Sequence, residues 1–162
     1  MRGASAAPIA EVSMTIQEIL GRKGRDVVTI APERSVYDAA RTLVEHNIGG
    51  LVVVSGGRTV GILTERDVLR LTARAPGRLH AITVESAMTR DLVTAAPADD
   101  LHYAMSLMTT RRIRHLPVVD DGRLAGIVSI GDLVNACRLL AEDENLHLRG
   151  YIQGVPAEAI RH

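Results

Sequence analysis

The chain is poor in aromatic residues. Its 162 residues include three tyrosines but no phenylalanine and no tryptophan. Such a chain offers no platform on which single-stranded bases stack, which argues against that mode of nucleic-acid binding. Hydrophobic residues still make up 46% of the sequence, enough to favour a folded core over disorder. We therefore expect a core built from aliphatic side chains and methionine.

Charge of either sign is not in excess, and long apolar runs are missing. Lys and Arg together number 19, as do Asp and Glu, so the charge balance indicates neither a nucleic-acid nor an anionic-membrane partner. Cys137 is the only cysteine, which excludes an intramolecular disulfide and favours a reducing compartment. No apolar run reaches the length of a membrane span or of a signal-peptide core. We expect a soluble cytoplasmic protein.

The most informative feature is an internal repeat. Shifting the sequence by 65 residues aligns residues 26–69 with residues 91–134 without a gap, and 15 of these 44 positions are identical. Residues 16–20 also match residues 84–88 once three residues are inserted in the first copy, where GRKG (residues 21–24) fills the extra length. Agreement at a fixed period indicates a duplicated structural unit.

Each copy predicts the same order of elements. A β segment (residues 27–30 and 92–95) precedes an amphipathic helix (residues 36–46 and 101–111). A hairpin follows, with SGGR or DDGR as its turn, and then a helix from Arg66 or Gly131. One such unit would bury too little apolar surface. We therefore predict an α/β (α+β) fold in which two β-α-β-β-α units pack sheet to sheet about a pseudo-two-fold axis.

The repeat also divides the chain. We predict a flexible tail at residues 1–12, repeat 1 at 13–72, a linker at 73–81, repeat 2 at 82–141, and a C-terminal helix and tail at 142–162. The last helix carries an apolar stripe of Leu133, Cys137, Leu140 and Ala141. That stripe either covers its own unit or pairs across a homodimer.

Two such units, each closing on Gly-Ile-(Leu/Val)-(Thr/Ser)-x-x-Asp, resemble a tandem pair of CBS domains, also called a Bateman module. The motifs are GGLVVVSGGRTVGILTERDVL in repeat 1 and IRHLPVVDDGRLAGIVSIGDLV in repeat 2. The resemblance extends over about residues 12–140 and is to stand-alone members of the family. It implies a regulatory module that binds AMP, ADP, ATP or NAD(H) in clefts between the repeats. It also implies a homodimer and, where there is an output, a separate effector protein.

The closing motifs supply the candidate ribose sites. On their residues alone, Thr64 with Asp67 and Ser129 with Asp132 are helix N-caps. A helix N-terminus is also an anion site, and a carboxylate there can accept hydrogen bonds from a ribose diol. The resemblance implies that each Asp holds ribose hydroxyls and that each hydroxyl residue faces ribose or phosphate. Capping and binding are compatible.

The resemblance further implies an apolar slot for adenine, made by the opening β segment of the partner repeat. Residues 92–93 would line the Asp67 cleft, and residues 27–28 the Asp132 cleft. A role in the core explains each of these side chains equally well. The predicted adenine-pocket residues are Val27, Val28, Ile48, Leu92, Val93 and Ile113.

The two repeats differ on the phosphate side. Arg114 and His115 precede the second repeat's strand, at positions that are often basic in the family and point towards phosphate, whereas repeat 1 has Gly49 and Gly50 there. We expect these glycines to leave open space for a larger ligand such as a dinucleotide. The preceding Arg111–Arg112 pair fits a solvated helix end.

Motifs of catalysis are not evident in the sequence. It has no GxxxxGK[ST] loop and no GxSxG elbow, and its six histidines show no metal-ligand spacing. We therefore predict a ligand-sensing module without catalytic or metal-binding residues. The alternative is a dimerisation or scaffold module that holds no ligand and acts on a separate partner protein.

Overall fold

A computed structural model of the chain describes residues 13–152. The first half contains α1 (Ile16–Lys23), β1 (Thr29–Ile30), α2 (Val36–Glu45), β2 (Gly50–Ser55), β3 (Arg58–Thr64) and α3 (Glu65–Arg74). After a 3-10 turn (Leu79–Ala81), the second half contains α4 (Val84–Ala87), α5 (Leu101–Arg111), β4 (His115–Asp120), β5 (Arg123–Ser129) and α6 (Ile130–Ile152). The predicted tail at residues 1–12 and the end of the predicted C-terminal segment lie outside the described residues.

The two sheets confirm the mixed fold but are not identical. The first has the order β1-β2-β3, with β1 parallel to β2 and β2 antiparallel to β3; the second pairs β4 with β5. The predicted β segment at residues 92–95 was wrong in extent, since it forms a single parallel bridge between Ala95 and Val118. The matching pair in the first sheet is Ile30 with Val53. Pro117 explains the difference, because it has no N–H to extend this ladder towards residue 93.

The hairpin turns were predicted correctly. Both central residues of each turn have left-handed backbone angles: φ is 56° and 76° at Gly56 and Gly57, and 46° and 77° at Asp121 and Gly122. These signs define the tight turn whose twist matches that of the flanking strands. The predicted helices after each first strand are also confirmed, at α2 and α5.

The short helix that leads each repeat packs on the sheet of the other repeat. Helix α1 contacts β5 and α6, whereas α4 contacts α2 and β3. Backbone pairs fix this exchange: Leu101 N–H donates to Met14 at 2.9 Å, and Val84 N–H donates to Arg34 at 2.8 Å. One core contains Val84 and Met88 among side chains of the first repeat; the other contains Met14, Ile16, Ile19 and Leu20 among those of the second. The sequence repeats and the packing units therefore do not coincide.

Helix α6 is longer than the sheet it covers. Leu133 and Ala136 are buried in the second core, and Cys137 and Leu140 pack against that core. Residues 141–148 are exposed. The stripe therefore covers its own unit only as far as Leu140. Within residues 13–152, no helix combines the length and the apolar character needed to cross a membrane.

Candidate functional site

Two clefts lie beside the two (Thr/Ser)-x-x-Asp motifs. The Asp132 cleft has a volume of about 290 Å³, and the Asp67 cleft about 200 Å³. They are related by the repeat, because Ile48 and Ile127 in one correspond to Ile113 and Ile62 in the other. The Asp132 cleft is lined by Lys23, Asp26, Val27, Val28, Asn47, Ile48, Gly49, Gly50, His115, Ile127 and Ser129. The Asp67 cleft is lined by Gly49, Ile62, Thr64, Glu65, Arg66, Asp67, Arg70, Thr89, Arg112, Ile113, Arg114 and His115.

In the Asp67 cleft, one carboxylate oxygen makes the helix cap. The backbone N–H and the hydroxyl of Thr64 both donate to Asp67 Oδ2, at 2.9 Å and 2.6 Å. The other oxygen, Oδ1, lies 3.8 Å from Arg70 Nη1. Because a carboxylate accepts about four hydrogen bonds, the cap leaves Asp67 able to accept more. The capping role and the binding role are therefore compatible at this residue.

In the Asp132 cleft, the cap is present but the carboxylate has a further partner. The N–H and hydroxyl of Ser129 donate to Asp132 Oδ2 at 2.7 Å and 2.8 Å, and Lys23 Nζ donates to the same oxygen at 2.6 Å. Burial raises the pKa of the Asp132 carboxyl, but the hydrogen bonds from Lys23 and Ser129 outweigh that effect and leave the pKa below its ordinary value. Asp132 is held ionised.

Of the six residues predicted to form the adenine pocket, three line the Asp132 cleft and one lines the Asp67 cleft. Val27, Val28 and Ile48 line the Asp132 cleft, and Ile113 lines the Asp67 cleft. Neither Leu92 nor Val93 is among the described residues that line the Asp67 cleft, and Val93 instead packs against the second core. Thr89 provides that wall, since its N–H and carbonyl pair with Ile62 at 2.9 Å and 3.0 Å.

His115 lies between the clefts and lines both of them. Its ring fills the space beside the two glycines: a Cβ atom on Gly49 would be 2.9 Å from His115 Cε1, and one on Gly50 would be 3.1 Å from Cγ. The expectation that these glycines leave room for a dinucleotide was therefore wrong. They make room for His115. Burial lowers the pKa of this imidazole, although Glu65 and Asp132 oppose the shift.

Arginines gather in the Asp67 cleft. Arg114 lines it, together with Arg66, Arg70 and Arg112. Arg112 is exposed at the end of α5, as predicted for a solvated helix end, and with a φ of 54° it also lies among the residues that line the cleft. Its repeat partner Asn47 has a φ of 50° and lines the other cleft. Because Asn47 and Arg112 are aligned by the repeat, the sequence already indicated that the two residues occupy equivalent places in the fold. Between residues 13 and 152, no cluster of His, Cys, Asp and Glu could hold a metal ion.

Comparison with known proteins gives the family. Residues 10–74 and 84–139 both match the CBS domain. The chain belongs to the CBS-domain family. It is 38% identical over 151 residues to the CBS domain-containing protein CBSX3, mitochondrial, of Arabidopsis thaliana, covering 88% of this chain and 73% of that protein.

Solved CBS-domain structures share the fold. A CBS-domain containing protein from Agrobacterium tumefaciens is 43% identical, with a TM-score of 0.73 over 76% of this chain and 98% of that one. The CBS domain pair of protein MJ0100, in complex with 5′-methylthioadenosine and S-adenosyl-L-methionine, is 30% identical, with a TM-score of 0.68 over 81% of this chain and 98% of that pair.

Proposed function

We propose that this CBS pair is a regulatory module that senses an adenosine nucleotide, namely AMP, ADP, ATP or NAD(H), in the clefts between its repeats. The observation that carries the proposal is the doubled cap, in which Asp67 and Asp132 each hold a helix start with one carboxylate oxygen. A carboxylate so placed suits a ribose diol. The Arabidopsis and Agrobacterium relatives support the same CBS assignment, and the MJ0100 pair was solved with two adenosine compounds.

The walls of the clefts support recognition of the base. Val27, Val28 and Ile48 form an apolar side of the Asp132 cleft. In the Asp67 cleft, Ile113 takes the place of Ile48, and Ile62 takes that of Ile127. A slot lined by aliphatic side chains and bordered by backbone polar groups fits a purine ring, since ligand sites are mostly apolar with a few placed polar groups.

The charge of the Asp67 cleft favours phosphate. Arg66, Arg70, Arg112 and Arg114 line it, beside the carboxylates of Glu65 and Asp67. Guanidinium groups bind phosphate through paired N–H donors. A phosphorylated nucleoside therefore fits this cleft better than a neutral one.

Regulation requires that the ligand bind one arrangement of the protein better than another. His115 is placed for such a role, because its ring occupies the space beside Gly49 and Gly50 and lines both clefts. A ligand that moves the imidazole in one cleft alters the wall of the other. We propose that this shift is passed on through a homodimer or to a separate effector protein.

Isothermal titration calorimetry on the full chain tests the proposed function, with AMP, ATP, NAD and NADH as ligands. Asp67→Asn is the most informative variant. Its amide oxygen can still accept the capping hydrogen bonds from Thr64, whereas an NH₂ group, which only donates, replaces the second carboxylate oxygen. We expect this change to weaken nucleotide binding about ten- to a hundredfold, the value of one or two hydrogen bonds to a charged group. A thermal shift should accompany binding, since a hundredfold excess over Kd adds roughly 2.7 kcal/mol to stability.

Asp38→Asn is the matched control. Ser35 and Asp38 form the same cap at the start of α2, with Ser35 N–H donating to Asp38 Oδ2 at 3.3 Å, but neither residue lines a cleft. This variant should bind nucleotide as the wild type does. Failure of every ligand to bind the wild type would leave the scaffold interpretation standing instead.

The homodimer has its own support in α6. Leu146 and Leu148 are 54% and 57% exposed, beyond the point at which the helix covers its own unit. Light scattering of the wild type and of Leu148→Glu tests whether the exposed end of this helix joins two chains. A dimer that dissociates on the substitution supports the proposal, and a wild-type monomer rejects it.

A further inference from the structure

We infer that Lys23 obstructs the Asp132 cleft from within, so that an adenosine nucleotide binds the Asp67 cleft first. This inference rests on the proposed function and names how its two sites are ranked. Two features of the chain carry it: the three-residue insertion that repeat 1 has and repeat 2 lacks, and the ion pair that this insertion makes across 109 positions of sequence.

The insertion lengthens a helix. Helix α1 has 8 residues and ends at Lys23, whereas its repeat partner α4 has 4 residues and ends at Ala87. After α4, the chain turns at once and Thr89 pairs with β3 at Ile62. After α1, the helix instead continues along the second repeat, and its last side chain reaches the cap of α6.

The ion pair alters what the cleft presents to a ligand. Lys23 and Ser129 are among the described residues that line the Asp132 cleft, and Asp132 is not. Asp132 lines a neighbouring depression of about 110 Å³, together with Arg22, Lys23 and Asn135. In the other cleft, Asp67 is itself a lining residue beside Thr64. Lys23 thus stands where Asp132 would meet a ribose.

The charges of the two clefts also favour binding in the Asp67 cleft first. Oδ2 of Asp132 already accepts three hydrogen bonds, and one of them comes from an ammonium group that neutralises the carboxylate. A ribose diol at Asp132 must first displace this ammonium. In the Asp67 cleft, the carboxylate has no lysine partner among the described residues, and the arginines around it attract phosphate.

The choice of a lysine at this place suits a side chain that moves. Lys23 is the only lysine of the chain, and all other basic side chains counted with it are arginines. A lysine carries a compact charge on a flexible stem, whereas an arginine holds a carboxylate with a planar fork. The Lys23 side chain is 32% exposed, so it has room to leave Asp132 when a second nucleotide enters.

Calorimetry with ATP and with adenosine tests the ranking, again on the full chain. The wild type should show one strong ATP site per chain and a second at least about tenfold weaker, a coupling of ordinary size. Adenosine has no phosphate and reports on the ribose contact alone. Asp67→Asn should lose most of its adenosine binding, and the double variant Asp67→Asn/Lys23→Met should regain it by about tenfold through Asp132. Arg22→Met in place of Lys23→Met is the control and should restore nothing.

The outcomes separate the two proposals. Two equivalent ATP sites in the wild type, or a double variant that binds adenosine no better than Asp67→Asn, would overturn the role of Lys23 while nucleotide sensing stands. A wild type that binds no adenosine compound rejects the sensing function itself. An independent measurement needs no ligand: carbon-labelled lysine gives a single side-chain signal by NMR. That signal should shift in Asp132→Asn and on saturation of the second site, and a signal unchanged by Asp132→Asn would reject the ion pair.

Discussion

The side chain of Leu20 lies directly on the backbone of Gly126. A Cβ atom at this glycine would be 2.7 Å from Leu20 Cδ1. The equivalent pair in the other repeat is Met88 on Gly61, where a Cβ atom would be 2.8 Å from Met88 Cγ. In each case a leading helix of one repeat meets a strand of the other, and the glycine allows the close approach. These two contacts fasten the repeats together.

Gly126→Ala should therefore destabilise the fold. The added methyl group must displace Leu20 in a packed core, at a cost of about 1–3 kcal/mol. Gly21→Ala is the control in the neighbouring residue of α1, since a Cβ atom there meets nothing within 4 Å. It should stabilise the helix by up to about 1 kcal/mol. Urea unfolding of both variants measures the difference, and equal midpoints would contradict this account of the contact.

Thr59→Val should stabilise the protein. The Thr59 hydroxyl is buried in β3 without a hydrogen-bond partner among the described residues, and the corresponding residue of the second repeat is the apolar Leu124. Removing an unsatisfied hydroxyl while keeping the branched shape should gain about 1 kcal/mol. Thr29→Val, at an exposed position of β1, should change the free energy of unfolding by less than about 0.5 kcal/mol. Loss of stability in Thr59→Val would show that the hydroxyl has a partner.

Arg112→Gly should raise stability and weaken phosphate binding together. Arg112 ends α5 in a left-handed conformation, with a φ of 54°, which costs a non-glycine residue about 1–2 kcal/mol. Glycine removes that strain but also removes a guanidinium from the Asp67 cleft. Asn47→Gly is the control, because asparagine tolerates the same conformation at the corresponding place. Thermal unfolding should show a higher midpoint, and ATP titration a lower affinity, in Arg112→Gly but not in Asn47→Gly. An unchanged ATP affinity in Arg112→Gly would exclude Arg112 from the phosphate site.

Stability should depend on pH through His115. Its pKa in the folded protein lies below the ordinary 6.5 because the ring is buried; Glu65 and Asp132 oppose this shift, whereas Lys23 and Arg114 add to it. The unfolded chain therefore binds a proton first as the pH falls. Stability is fully present above 6.5 and decreases as the pH falls from there through the lower pKa of the folded state. The free energy of unfolding, measured at several pH values across this range, should depend less on pH in His115→Gln than in the wild type. His102→Gln, at an exposed site, should leave this pH dependence unchanged. If the free energy of unfolding changes with pH equally in both variants, groups other than His115 cause the effect.

The local chemistry of the repeats was predictable from the sequence. The turn residues Gly56–Gly57 and Asp121–Gly122 determine their hairpins through backbone conformations that few residues adopt. The spacing of apolar residues determines α2 and α5 in the same way, and Thr64 with Asp67 forms the predicted cap. In each of these cases the deciding interactions lie within a few residues of one another.

Relationships between distant residues were not predictable in this way. The alignment of the two repeats placed the insertion at residues 21–24. Such an alignment does not tell on which repeat each leading helix will pack. Lys23 and Asp132 therefore could not be connected from spacing. Likewise, Gly49 and Gly50 looked like vacant positions because the alignment compares each with its own repeat partner. The structure fills that space with His115, which is the repeat partner of Gly50 itself.

Because each leading helix packs on the other repeat, the two cores can form only at different times during synthesis of the chain. The core of the first repeat is complete once Met88 has emerged, so it can close while the rest of the chain is still being made. Helix α1 is synthesised before any of it, yet its apolar side chains fit against residues as late as Ala136. During synthesis from the N-terminus, α1 must therefore remain undocked until Ala136, near the start of α6, has been made.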